Sequence, residues 1–358
     1  MSSNHSSSQT QGQAILRYKA DYRTFVFIIA YFLISYGGFI CYYLYPEMRT
    51  IGIMLPWFVL TCLSSFSCAI IVHNTIHSPI FYDKTHNKLF QFVLSLAYGY
   101  SVSAYVPGHN FSHHKETQSA KDNMRTSKVR FKWHFLNQLL FFFIVTPDLL
   151  KAEKKFVAKM KTDKKEWFNQ WKAEMFLVHS IRIGLLFVNL PAALIFIWIP
   201  HIYAAWGVVG TNLWQHDGCD TNDKYNHSRT FKGSLLNYFL FNNGYHGAHH
   251  DRPSMHWSLL PAYHEKYIAP HIHPNLNQES MLIYMLKAYI YPGKRVNYDG
   301  STYVLEDPIK DEDWVSELYV NDNAHQYDFG AENNTIDDIL QTTNSKTSWF
   351  NLKGLLSR

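Results

Sequence analysis

Charged residues leave long gaps in this chain, and the gaps predict its elements. Residues 24–45, "TFVFIIAYFLISYGGFICYYLY", carry no charge over 22 positions. As a helix rising 1.5 Å per residue they reach about 33 Å, enough for a hydrocarbon core of roughly 30 Å. "PEMRT" interrupts, and 22 more uncharged residues follow at 51–72. Neither stretch has the polar face of a surface helix, so the pair predicts a membrane hairpin. A second apolar block, 174–214, would measure about 61 Å as one helix, twice the core thickness. "NLP" at Asn189–Pro191 offers the break, because proline disfavours helix in the residue before it. Two spans are predicted, 174–190 and 192–214. His179 and Arg182 in the first are costly in lipid and are expected to face the bundle or reach a boundary. Residues 135–146 are too short to cross. Residues 89–106 are broken by Gln91, serines and Gly99. Both are predicted to lie in the interface.

Four crossings put both termini, and the segments 73–173 and 215–358, on one side. Residues 73–173 hold sixteen Lys or Arg, against a single Arg in the loop 46–50. The bias of basic residues toward the cytosol then places the large segments there. The expected fold is an all-α integral membrane protein with four transmembrane helices as two hairpins and accompanying interfacial helices. Residues 73–173 and 215–293 form a cytosolic, histidine-rich helical cap, completing a domain over 24–293. A polar tail, 1–23, precedes it, and an acidic, flexible tail, 294–358, follows. "MSSNHSSSQTQGQ" is polar and shows no cleavable signal peptide, so the first span is expected to direct insertion.

Composition sharpens this picture. The 358 residues are 47% hydrophobic and 16% aromatic, with twenty histidines. The net charge of +5 hides a division: from Tyr298 to Arg358 there are twelve acids and four bases, leaving 29 bases against 16 acids elsewhere. A basic body suits an anionic membrane surface or an acidic protein partner. The apolar blocks argue against a nucleic-acid partner. Cys41, Cys62, Cys68 and Cys219 form no CxxC pair, which favours reduced structural thiols.

The histidines fall in groups. His73 and His77 in "HNTIHSP" follow the second span at spacing i, i+4, which stacks them on one helix face. The same spacing occurs in zinc proteases, but the general-base Glu of that motif is replaced by Asn74, which excludes peptide hydrolysis of that type. His109, His113 and His114 in "HNFSHH" would fan over about 140° of an α-helix, wide enough for two ions. His246, His249 and His250 in "GYHGAHH" project as a tight cluster. "NLWQH" closes the fourth span with Asn212 and His216 at i, i+4. Any one group is weak, and a solvated or hydrogen-bonded histidine is the commoner outcome for each alone. Four groups on one membrane side, three of them at or near a span's end, suit two metal ions, and imidazole binds iron, zinc or copper. His86, His134, His227, His256 and His264 are expected to be structural or on the surface.

Two other metal classes fit poorly. Soluble di-iron bundles use Glu-x-x-His, which is absent from this sequence. Haem would need axial histidines on facing helices within the apolar zone, and His179 is the one read well inside a span. An all-histidine dinuclear site at the cytosolic membrane surface is expected. A non-enzymatic membrane metal carrier or sensor is the rival from another class, but it would favour low-complexity histidine runs, and none occurs.

The boxes "HxxxH", "HxxxHH" and "HxxHH", with Asn-x-x-x-His after the fourth span, resemble the integral-membrane fatty acid desaturase/hydroxylase superfamily over most of 24–265. The resemblance implies two non-haem irons held by His73, His77, His109, His113, His114, His216, His246, His249 and His250, with Asn212 binding through water. It also implies O2 reduction with two external electrons to attack an unactivated C–H bond. "NNGYHGAHHDRP", with His246 leading, is similar to acyl desaturases whose last box begins with His. No HPGG haem motif of a fused domain appears, so a separate cytochrome b5-like or ferredoxin-like donor is implied, and the basic body would attract an acidic one. "DRPSMHWSLLPAYH" (251–264) departs from the usual "HxxFP" continuation, which leaves the substrate open. A lipid acyl chain entering from the bilayer and threading between spans is expected, with desaturation as the reaction. Hydroxylation of an alkane, sphingolipid, sterol or carotenoid is the alternative. Asp217, Asp220, Asn243 and Asp251 are candidates to orient the metal-binding histidines.

Overall fold

The computed structural model describes residues 15–318. Six helices organise it: α1 (Tyr22–Leu44), α2 (Ile51–His77), α3 (Lys84–Tyr98), α4 (His134–Asp163), α5 (Lys165–Val188) and α6 (Leu190–His216). Among the described residues the only paired strands are Thr230–Phe231 and Asn277–Gln278, which run parallel.

Four helices are long and apolar enough to cross a membrane: Lys19–Leu44, Ile51–His77, His134–Asp163 and Leu190–His216. The third differs from expectation. The stretch 135–146, read as too short, is the apolar start of the 30-residue α4. The segment read as the third span, 174–190, covers the second half of α5 and the break at Asn189, and it carries the chain to Leu185 and Leu186 at the end of the bundle away from the histidines. The break at Asn189 is where the sequence placed it. The Asn189 side chain accepts from the Ala192 amide at 3.0 Å, and Pro191 stands in the first turn of α6, an N-cap with a proline that needs no donor.

The α1–α2 turn and the α5–α6 break share one end of the bundle. There Phe39 and Met54 pack with Ala192, Phe196 and Ile197, and Leu185 and Leu186 of α5 join them. Gly38 permits this approach, since a Cβ there would stand 2.6 Å from the Phe196 ring. The histidines occupy the opposite end, because α2 continues without interruption through His73 to His77 and α6 through Asn212 to His216.

The region 89–106 covers most of α3 and a buried turn that follows it. Helix α3 starts on an Asp83 cap and ends at Gly99, whose φ of +82° is a left-handed turn that favours glycine. That turn is buried between α5 and α6. The Gly99 carbonyl accepts from Arg182 Nη1 at 2.6 Å, and a Cβ would meet the His201 ring at 2.2 Å. Arg182 thus faces the bundle, as its cost in lipid requires. Beyond the turn, fully buried Glu174 accepts from Ser101 Oγ at 2.7 Å and from the Ser103 amide at 2.9 Å. The chain then returns toward the histidine end.

The segment after residue 293 is also more ordered than its composition predicts. Trp314, Val315 and Leu318 are buried in the main core. Arg295 pairs with Asp217, and Asp311 receives Arg125 and Lys128. The acids of this stretch find partners on the basic body, and the tryptophan supplies the apolar anchor that a charge count misses. The same holds for Asp21 in the N-terminal stretch, which is buried against His256 and Trp257. Residues 1–14 and 319–358, including the short apolar stretches "DDILQ" and "SWFNLKGLL", lie outside the described residues.

Candidate metal centre

All nine histidines singled out in the sequence come together, in two groups. His73, His77, His109, His114 and His249 form one; His113, His216, His246 and His250 form the other. Within each group the ligand-capable nitrogens lie within 4.8 Å of one another. The groups adjoin, with the His114 and His250 rings stacked at 4.3 Å.

Local backbone geometry decides this partition. Residues Pro107–His114 form a π-helical stretch, in which i→i+5 bonding widens the turn. His109 and His114, five apart, therefore face one way, while His113 faces the second group. An α-helical fan would have paired His109 with His113 instead. In the short helix His246–Asp251, His246 and His250 share a face, and His249 turns to the other group.

The nitrogens are too crowded for hydrogen bonding to explain. His114 Nε2 lies 3.1 Å from His109 Nε2 and 3.0 Å from His249 Nε2. His216 Nε2 lies 2.9 Å from His246 Nε2 and 3.2 Å from His250 Nε2. One nitrogen carries one proton or one lone pair and satisfies one such neighbour. Adjacent imidazole nitrogens about 2.1 Å from a shared ion would lie about 3 Å apart, which matches. His77 Nε2 and His113 Nε2 are buried without a protein partner among the described residues. The donor set therefore fits metal ions.

Protonation favours the same conclusion. His109, His114, His246, His249 and His250 are held well below the ordinary histidine value of 6.5, first by burial and then by neighbouring histidines. They are neutral at physiological pH, and a neutral ring offers a lone pair. Three rings are oriented from behind. His113 Nδ1 donates to Asp122 Oδ2 at 3.0 Å, His73 Nδ1 to Asn74 Oδ1 at 3.0 Å, and His216 Nδ1 to the His227 carbonyl at 3.0 Å. With the proton on Nδ1, Nε2 is left bare toward the cluster.

These partners were not among the sequence candidates. Asp217 is taken by Arg295, Asp220 caps a turn at the Asn222 amide, and Asp251 accepts from Tyr263. Asn243 binds Gln215 through its backbone carbonyl at 3.1 Å. None of the four hydrogen-bonds a cluster histidine among the described residues. The useful signals were an acid eight residues past His114 and the Asn that follows His73. Asn212 donates to the Met124 carbonyl at 2.7 Å and keeps Oδ1 buried without a protein partner among the described residues. His256 stacks on Tyr18 and bonds Asp21, and His264 bonds Asn277; both are structural. His201 is a second histidine inside an apolar helix besides His179, and its Nε2 lies 2.6 Å from the Tyr31 hydroxyl. That is a structural bond and no facing axial pair.

A cavity of about 290 Å³ begins at this centre, where His73, His109, His113 and His246 form its head. Its walls come from α4 and α6, through Phe142, Thr146, Leu149, Ala205 and Val209, and from Tyr98–Tyr105.

A bundle of apolar helices long enough to cross a membrane, with imidazoles placed to hold two ions at one end, fits an integral membrane metalloprotein. Residues 49–277 match the family model described as fatty acid desaturase, more than half of the chain, and the chain belongs to that family. It is an oxidoreductase of the desaturase or hydroxylase type, and the family implies a non-haem di-iron centre. No curated protein matches the chain.

Proposed function

We propose that the protein introduces a double bond into the acyl chain of a lipid, using O2 and two electrons from a separate carrier. The observation that carries this reading is the pair of histidine groups at the head of an apolar cavity in a desaturase-family chain. Two irons bound there would supply O2 activation and abstraction of hydrogen from an unactivated C–H bond. The balance is one CH2–CH2 unit, one O2, two electrons and two protons giving one CH=CH unit and two waters. Hydroxylation uses the same inputs and gives an alcohol and one water, which makes it the close alternative.

The chain's own residues have definable parts. The nine histidines hold the metals. Asp122, Asn74 and the His227 carbonyl fix three of their tautomers. The cavity walls align an apolar chain against the histidines and exclude water. The Asn212 amide oxygen offers an acceptor at that same head. Electrons would come from a cytochrome b5-like or ferredoxin-like protein on the cytosolic side, drawn by the basic body. Mass spectrometry of lipids from cells with and without the protein tests the reaction. Loss of two hydrogens supports desaturation, gain of one oxygen supports the alternative, and an unchanged lipid profile with iron bound refutes both.

A further inference from the structure

We propose that the end of the cavity away from the histidines is a carboxylate subsite built on Arg182, so that the substrate is a lipid chain with a free carboxylate and lies with that end farthest from the metals. This names a substrate class for the proposed oxidation at the histidine centre and rests on that reading.

Arg182 and His201 line that end, packed against the Gly99 turn. Both are more than nine-tenths buried, Arg182 at 7% exposure and His201 at 3%. The guanidinium is held on two sides. Nη1 donates to the Gly99 carbonyl at 2.6 Å, and Cζ stands 3.9 Å from the centre of the Trp198 ring. The remaining edge is free: among the described residues Nε is buried without a partner and Nη2 makes no hydrogen bond. Nε and Nη2 form a fork that takes both oxygens of one carboxylate. Arg182 forms no ion pair among the described residues, and an unpaired cation inside an apolar bundle is costly. The acid in the lining, Glu153, is engaged elsewhere, accepting from Tyr100 at 3.2 Å and from Trp171 at 3.2 Å. His201 offers a second donor. Its Nε2 lies 2.6 Å from the Tyr31 hydroxyl, and Nδ1 is buried without a partner among the described residues. A Tyr31 hydroxyl that donates to Nε2 leaves the proton on Nδ1.

The separation of the two ends suits a chain lying between them. His201 and Asn212 belong to one regular stretch of α6, about 16 Å apart along its axis. Asn212 stands with His73, His109, His113 and His246 at the metal end of the same cavity. Between the ends the walls are apolar, through Phe142, Leu149, Ala205 and Val209. A carboxylate on Arg182 therefore fixes the register, and the carbon that meets the metals is counted from the acid end. An ester brings the fork no charge and leaves the guanidinium unpaired.

Isotope-edited infrared spectroscopy tests the subsite without turnover. The full-length, iron-loaded protein is placed in nanodiscs with no electron donor. The probe is palmitic acid isotope-labelled at its carboxyl carbon, at a pH where the same acid in protein-free nanodiscs is largely protonated. One ionised carboxylate per chain is expected, displaced by unlabelled palmitic acid but not by methyl palmitate or by acetate. Arg182→Gln should weaken binding about 10- to 100-fold with iron content unchanged, the loss expected for a charge-assisted pair. Arg182→Lys, which keeps the charge without the fork, should weaken it less. If Arg182→Gln does not fold, the comparison of acid with ester in the wild-type protein decides alone. Bound acid that stays protonated, equal displacement by the methyl ester, or binding indifferent to Arg182→Gln overturns the proposal. Displacement by acetate as readily as by palmitic acid would show a small-anion site and overturn the lipid assignment. An ionised acid bound once per chain, with no product once donor and O2 are added, would keep the subsite and refute the oxidation instead. Oxidised ester lipid from protein that binds no ionised acid would do the reverse.

Discussion

Replacing Asp122 by asparagine changes one oxygen into an NH2 where only acceptors fit. The Asp122 side chain is fully buried and accepts three bonds: from His113 Nδ1 at 3.0 Å, the Gln118 amide at 2.9 Å and the Met124 amide at 2.8 Å. An asparagine that keeps its oxygen on His113 and Gln118 points its NH2 at the Met124 N–H. The opposite rotamer points it at His113 and reverses the tautomer that leaves Nε2 bare. Leaving one buried donor unsatisfied costs about 1–3 kcal/mol, and loss of a partner behind a metal-binding histidine typically costs about 10- to 100-fold in affinity. His113 belongs to the group with His216, His246 and His250, whereas the other five histidines do not bond Asp122. The variant should therefore hold one iron tightly and the second about 10- to 100-fold more weakly, read by metal titration of the purified protein. Two irons retained with unchanged affinity, or both weakened alike, would refute the assignment of Asp122 to one of two separate sites.

Other expectations follow from the same structure. Trp314→Ala should lower the melting temperature, since truncating a buried tryptophan costs about 3–5 kcal/mol. It should also loosen the histidine box, because Trp314 Nε1 donates to Asn123 Oδ1 at 2.8 Å and Asn123 bonds Ser112 at 3.1 Å. A melt that matches wild type would show that the C-terminal strap is idle. Gly38→Leu should destabilise by about 1–3 kcal/mol through overpacking against Phe196 without altering iron content; a wild-type melt would contradict that packing. The metal-free protein should lose stability as pH falls. Five histidines titrate well below 6.5 when folded, so below about 6.5 the unfolded chain binds more protons, at about 1.4 kcal/mol per pH unit for each group. Thermal melts of the metal-free protein at about pH 7.5 and about pH 5.5 check the sign, and equal stability would exclude it.

The sequence revealed most of the site because histidine is scarce enough for its spacing to carry information. All nine imidazoles, the α1–α2 pair and the break at Asn189 were legible from apolar run length and box pattern. The division of the nine was not, because it depends on the π-helical turn at Pro107–His114, and residue spacing does not distinguish i+4 from i+5 winding. Asp122 escaped notice because a buried carboxylate and a solvated one look alike in a charged loop. The Gly99 turn was missed for a related reason: Arg182, Glu153 and Glu174 stabilise it from distant helices. Trp314 was masked by the acids around it. In α4, the apolar start continues into a lysine-rich second half, so a window limited to the uncharged run underestimated the helix.

X-ray absorption at the iron edge of the purified full-length protein, with metal analysis of the same sample, tests the central claim most directly. Two irons per chain with nitrogen and oxygen neighbours at about 2.0–2.2 Å, and no sulfur, is the predicted result. A single metal per chain, sulfur in the coordination shell, or no bound metal in protein that remains folded would contradict an all-imidazole dinuclear centre.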